Sequence, residues 1–120
     1  MKTNDLKKIS TRMARQMRRG VLELCILSIV SEKEAYPSDI IKDLKASELI
    51  VVEGTLYPLL SRLKDQGLLQ YNWQESSMGP PRKYYSITET GREFLKGLLD
   101  TWDQLVEAVN RSTKNISTNE

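Results

Sequence analysis

Residues 54–67 have the sequence GTLYPLLSRLKDQG, and this stretch decides the fold. Its leucines, Leu56, Leu60 and Leu63, recur at the spacing of one helix face, so the stretch is predicted to form an amphipathic helix. The glycine at its end is the residue type at which helices commonly stop. The opposite face carries small and polar side chains, Ser61 among them, and such a face is free to meet a partner.

Three helices are predicted before this stretch. Residues 5–19 are predicted to form a helix with a narrow apolar seam, which needs another element to pack on. Gly20 is predicted to end this helix. Residues 21–30 form an apolar run whose periodicity does not distinguish a buried helix from a strand. The length of the run and the Lys/Glu-rich residues that follow it favour a buried helix. Pro37 then opens a short amphipathic helix that ends near residue 46.

A hairpin and a long helix are predicted after it. Residues 69–73 and 83–87 alternate with period two, and the turn-forming run between them predicts a hairpin with a long mobile tip. Thr88 is the expected N-cap of a helix over residues 89–112 that has a wide apolar face. The polar residues 113–120 are predicted to form a disordered tail.

The composition excludes several classes of protein. The 120 residues include no His and one Cys, which excludes histidine-dependent catalytic triads, histidine-ligated zinc and an internal disulfide. We find no phosphate loop and no dinucleotide fingerprint, so we expect no enzyme, no cofactor and no metal. No apolar run approaches the roughly 18 residues of a membrane span, and we expect no secretory signal because the N-terminus is basic and no apolar segment follows it.

The charge is distributed unevenly along the chain. Residues 1–19 hold seven basic side chains and one acidic side chain, a formal charge of +6, whereas the remaining 101 residues carry −4. A basic arm on a mildly acidic body is typical of proteins with a polyanionic partner. The alternative is that the arm is a solvated helix face that serves solubility.

The order of the elements predicts a mainly α fold with a two-stranded β-wing. A short helix, a connection, a longer helix and a hairpin follow one another as in a winged helix-turn-helix. We therefore assign residues 1–19 to a basic N-terminal arm, 20–88 to the winged helix-turn-helix, and 89–112 to a C-terminal helix. A helix has the right width for the major groove of DNA, and a basic hairpin can reach the phosphates. The alternative function is a protein-binding adaptor, since winged-helix domains also bind proteins.

Two motifs carry a family resemblance over about residues 15–110. The stretch GTLYPLLSRL at 54–63, followed by Gly67 and Leu68, resembles the recognition-helix signature of PadR-like transcriptional regulators. The stretch GPPRKYYSITETG at 79–91 resembles their wing strand and the start of their last helix. This resemblance implies a homodimeric, cytoplasmic bacterial repressor in which the N- and C-terminal helices form the dimer. Its two recognition helices would meet a pseudo-palindromic operator.

Three sets of site residues follow from the helix faces and from this resemblance. We expect double-stranded DNA to be contacted by Ser38, Thr55, Tyr57, Ser61, Arg62, Lys64, Arg82 and Lys83, although Tyr57 has the alternative of packing beneath the wing. We expect the dimer interface to contain Leu95, Leu98, Leu99, Trp102, Leu105, Val106 and Val109. A planar aromatic or hydrophobic ligand would bind beside Trp102, Leu99, Val106, Met13 and Met17; the alternative is that Trp102 only fills the interface.

Overall fold

The computed structural model describes residues 2–117 as four helices and one antiparallel two-stranded sheet. In chain order these elements are α1 (Thr3–Glu32), α2 (Pro37–Ala46), α3 (Glu53–Asp65), β1 (Leu69–Ser76), β2 (Gly79–Ile87) and α4 (Glu89–Ser117). The mainly α fold with a β-wing is confirmed. No helix within residues 2–117 is both long and apolar enough to cross a membrane.

One apolar core joins all of these elements. The second half of α1 contributes Ile26 and Leu27, which are fully buried, and α2 adds Ile40. The leucine stripe of α3 is buried against them, with Leu56 and Leu60 at zero exposure. This confirms both the buried helix at 21–30 and the amphipathic helix at 54–66, which spans Glu53–Asp65 in the structure. The polar face of α3 is thereby left at the surface.

Gly20 does not interrupt the first helix, contrary to our prediction. α1 is continuous from Thr3 to Glu32, about 45 Å at 1.5 Å per residue. A glycine inside a helix costs only about 1 kcal/mol, and the packing of α1 on α4 outweighs it. The basic arm is therefore the first half of a helix whose second half is core.

The hairpin tip is a tight turn, so the prediction of a long tip is wrong. β1 and β2 remain paired as far as Ser76 and Gly79, and only two residues lie between the strands. Gly79 has a φ of 148°, which favours glycine. Pro80 and Pro81 are tolerated within β2 because they lie at a register shift between the Gln74–Arg82 and Ser76–Gly79 pairs, where the regular ladder of hydrogen bonds is interrupted.

The close packing at the junction of the wing with α4 explains why residue 91 is a glycine. The Thr88 hydroxyl accepts a hydrogen bond from the Gly91 N–H at 2.9 Å, which confirms Thr88 as the N-cap. The same hydroxyl donates to the Gly67 carbonyl at 2.7 Å. A Cβ on Gly91 would overlap the Leu68 carbonyl oxygen, so any larger residue here would force the helix away from the end of α3.

α4 continues through Ser117, which corrects the predicted end at residue 112. Residues 113–117 are helical, and residues 118–120 of the predicted tail lie outside the described residues. The Ser112 and Thr113 hydroxyls donate to carbonyls one turn earlier. Extending an existing helix costs little, so polar composition alone did not end it.

Candidate nucleic-acid interface

A cleft of about 560 Å³ separates the exposed face of α3 from the wing. One wall is the start of α2 and the polar face of α3, and the other is the side of the hairpin. Its lining residues are Tyr36, Pro37, Ser38, Glu53, Tyr57, Ser61, Trp73, Pro81, Arg82, Lys83 and Tyr85. The cleft is therefore made from three consecutive parts of the chain, the start of α2, α3 and the wing.

Backbone hydrogen bonds hold the start of α2 against the wing. Ala35 and Tyr85 exchange both backbone hydrogen bonds, at 3.0 and 2.8 Å, as an isolated antiparallel bridge. Pro37 begins α2, and the Asp39 carboxylate accepts a hydrogen bond from the Tyr36 N–H at 3.1 Å. This is the capping that the proline and the acidic residue predict. Tyr36 is consequently held beside the second strand of the wing.

Aromatic rings hold the two cations of the wing. The Arg82 guanidinium lies 4.8 Å from the centre of the Tyr36 ring, which itself packs on Tyr84 at 4.8 Å. The Lys83 ammonium lies 4.5 Å from the Tyr71 ring and 5.5 Å from the Trp73 ring. A ring orients a cation without neutralising it, at a gain of about 0.5–1 kcal/mol at an exposed site.

No carboxylate competes for these cations within residues 2–117, where the ion pairs involve other residues. Neither Arg82 nor Lys83 is therefore neutralised by an ion pair at the mouth of the cleft. Preorganised, unpaired cations beside a helix of groove width are suited to bind the phosphates of a duplex.

Five of the eight predicted contact residues lie in this cleft: Ser38, Tyr57, Ser61, Arg82 and Lys83. Tyr57 is 46% exposed and faces the space between α3 and the wing, so it neither projects freely from α3 nor lies buried beneath the hairpin. Thr55 is exposed on the first turn of α3 but is not part of the cleft lining.

Arg62 and Lys64 lie outside the cleft. The Arg62 guanidinium donates to the Glu23 carboxylate of α1 at 2.9 Å, and Lys64 lies 3.8 Å from Asp65. Both pairs are partly exposed, and such pairs contribute about 0–1 kcal/mol. Arg62 thus marks the flank of α3 that faces α1, while Tyr57 marks the flank that faces the wing.

Tyr36, Trp73 and Tyr85 also line the cleft, and none of the three was predicted from the sequence. Tyr85 is almost fully buried, and burial raises the pKa of its phenol, with smaller contributions from the neighbouring Tyr71 and Tyr57. Trp73 could have been predicted, because the period-two alternation of β1 places it on the face that meets Lys83. Tyr36 could not have been, since its partners lie far along the chain.

A second, more apolar cavity of about 410 Å³ lies between α1 and α4. Met17, Trp102 and Val106 line it, as the sequence predicted for a ligand site. Met13 and Leu99 do not line it and are exposed nearby. The remaining lining residues are Val21, Leu105, Val109 and Asn110.

The predicted dimer residues divide into two groups. Leu95 is buried in the chain's own core, and Leu98 is half-buried against it, because the first turns of α4 cover α1. Leu95 is therefore not part of the exposed apolar face of α4. Further along α4 the apolar residues are at the surface: Leu99 is 42% exposed, Leu105 52% and Val109 50%.

Cys25 is half-buried in the inner half of α1. Burial raises the pKa of its thiol, which favours the protonated and unreactive form. Its environment is that of a small apolar residue packed against the core.

Comparison with known proteins reveals extensive similarity. The family model described as the transcriptional regulator PadR-like family matches residues 26–97. A PadR-like transcription factor from Bacteroides fragilis is 54% identical, with a TM-score of 0.72 over 83% of this chain and 97% of that one. A PadR family regulator from Eggerthella lenta is 32% identical, with a TM-score of 0.83 over 91% and 96%. A transcriptional regulator of Mycobacterium tuberculosis is 33% identical over 68% of this chain and 75% of its own length.

Proposed function

The chain belongs to the PadR-like family of transcriptional regulators, and from this premise we propose that it is a dimeric repressor with a pseudo-palindromic operator. We further propose that a small hydrophobic ligand relieves the repression. A transcription regulator that binds DNA acts in the compartment that holds the chromosome, so we place it in the bacterial cytoplasm.

The main support for DNA binding is the cleft between α3 and the wing. Tyr57 and Ser61 offer hydrogen-bonding groups on the exposed face of α3, where base edges would pass. Arg82 and Lys83 face the same space, are held by rings, and form no ion pair within residues 2–117, although Glu53 also lines the cleft. Phosphate contacts from the wing would set the register, and α3 would read the sequence.

The exposed apolar face of α1 and α4 supports the dimer. Leu99, Leu105 and Val109 on α4, with Met13 and Met17 on α1, are all more than two-fifths exposed in the single chain. A second copy packed on this face would remove it from water at about 25 cal/mol per Å². Two-fold symmetry then places two α3 helices about one turn of DNA apart, ~34 Å.

Footprinting of the purified protein on the DNA upstream of its own gene tests this function. We expect two protected half-sites about one helical turn apart, with an affinity that falls steeply as salt rises. Binding of a protein partner with no protection of any duplex would favour the adaptor function instead.

The ligand proposal rests on the cavity between α1 and α4. Trp102 forms part of its wall, together with Met17 and Val106, and every one of these is apolar. An indole stacks on planar aromatic molecules, with a gain of about 0.5–1.5 kcal/mol beyond area burial. Because the same residues border the proposed dimer face, a ligand here would change the angle between the two protomers and hence the spacing of the α3 helices.

Tryptophan fluorescence tests this site, because the chain has only two tryptophans. In a Trp73→Phe variant, which keeps a ring beside Lys83, Trp102 alone reports. Titration with flat aromatic cations and phenolics is expected to quench its emission below millimolar concentration and to weaken operator binding. If no compound does either, Trp102 serves packing alone.

A further inference from the structure

The basic side chains of the first half of α1 form a surface that the cleft does not use. All seven Lys and Arg residues between positions 2 and 19 are exposed. None of the seven belongs to an ion pair within residues 2–117. Seven unneutralised cations on about five turns of helix create a strong local positive potential.

Four of these cations share one face of the helix. At about 100° per residue, Lys8, Arg12, Arg15 and Arg19 fall within an arc of about 60°. We call these four residues the basic stripe. Lys7 and Arg18 lie outside the arc, about 60° or more beyond its nearest member.

The basic stripe lies on the same face of α1 that contacts α3 further along the helix. Glu23 is one turn beyond Arg19 on nearly the same face, and its carboxylate binds Arg62 of α3 at 2.9 Å. The wing lies on the other flank of α3, where Tyr57 and Ser61 border the cleft. The flank of α3 opposite the wing therefore meets α1 at Glu23, and the basic stripe continues from there toward the N-terminus of α1.

The basic stripe stays uncovered when the dimer forms. Met13 and Met17, which belong to the apolar seam of α1, lie at least about 100° around the helix from Arg12. A partner seated on that seam would leave the stripe in water. If the seam packs on its symmetry mate, the two α1 arms lie beside the two-fold axis, and in a two-fold complex that axis passes between the two α3 helices.

We propose that the basic stripe binds the DNA backbone of the central spacer, between the two half-sites. This inference rests on the proposed operator binding and adds a third contact region to it. The ligand chemistry is a row of phosphates, which exposed Lys and Arg side chains neutralise without reading bases. The stripe would raise affinity for any spacer sequence and would fix the distance between half-sites.

The test compares two variants that lose the same charge from the same helix. Arg12→Gln/Arg15→Gln removes two stripe cations, and Lys7→Gln/Arg18→Gln removes two cations outside the stripe. Gln is a good helix former, and all four sites are exposed, so circular dichroism should show both variants folded. Each is titrated with operator duplex over a range of salt and footprinted with hydroxyl radicals.

We expect the stripe variant to lower the salt slope of operator binding by roughly two to four units per dimer, since each lost phosphate contact removes about 0.9. Protection of the central backbone should vanish, with both half-sites still protected. The control variant should keep the wild-type slope and footprint. Equal behaviour of the two variants would overturn the inference and leave the proposed function intact, whereas a wild-type protein that protects no duplex would overturn both.

Discussion

Replacement of Leu105 and Val109 by glutamate is expected to give a folded monomer that no longer protects an operator. Both side chains are about half exposed on the outer part of α4, so neither is needed for the core of the single chain. Each apolar side chain buried in a dimer contributes about 1.5–3 kcal/mol, and two-fold symmetry doubles the loss. Four introduced charges at the axis would add desolvation and repulsion.

This pair is a sharper choice than one that includes Leu98. Leu98 is half-buried against the chain's own core, so a charge there would unfold the protomer as well as separate the dimer. With Leu105 and Val109, thermal unfolding of the variant distinguishes the two effects.

Sedimentation velocity at micromolar concentration is the measurement. Wild type should sediment as a dimer and the double variant as a monomer with unchanged helical content. Ile50→Glu is the matched control, because Ile50 is 78% exposed in the connection before α3, away from α4. A double variant that stays dimeric would show that α4 is not the interface.

Those features of the fold that depend on neighbouring residues could be predicted from the sequence. The leucine stripe of α3, Gly67 after it with a φ of 77°, and the Thr88 cap are local patterns with local causes. The same reasoning failed at Gly20 and at residue 113. There the chain continued as helix because packing and propagation outweighed a weak local signal.

The site was only partly predictable, because side-chain partners distant in sequence assemble it. Arg62 was expected at a phosphate, yet it pairs with Glu23, 39 residues away, and no local pattern specifies that pair. Tyr36 was not expected at the site at all, and its place beneath Arg82 depends on the bridge between Ala35 and Tyr85. The periodicity of α4 likewise identified an apolar face without saying that Leu95 would be buried within its own chain.

Removal of both wing cations tests the cleft, which contains the strongest candidate phosphate ligands. An Arg82→Gln/Lys83→Gln variant should keep the dimer and the fold, because both side chains lie on rings at the surface and carry no ion pair within residues 2–117. Each half-site would lose two phosphate contacts, so the salt slope should fall by about two units per half-site and about four per dimer. Affinity near physiological salt should fall roughly 100-fold, by the same amount for operator and unrelated duplex.

Fluorescence anisotropy on labelled duplexes, measured from low to physiological salt, gives both the affinity and the slope. Lys42→Gln/Lys45→Gln is the matched control: it removes the same charge from α2, at positions outside the cleft lining, and should bind as wild type does. The equal loss on both duplexes is the informative part, since phosphates carry no sequence and the bases are left to α3. A wing variant with an unchanged slope would place Arg82 and Lys83 away from the DNA, and the cleft would then lose its role as the phosphate-binding part of the interface.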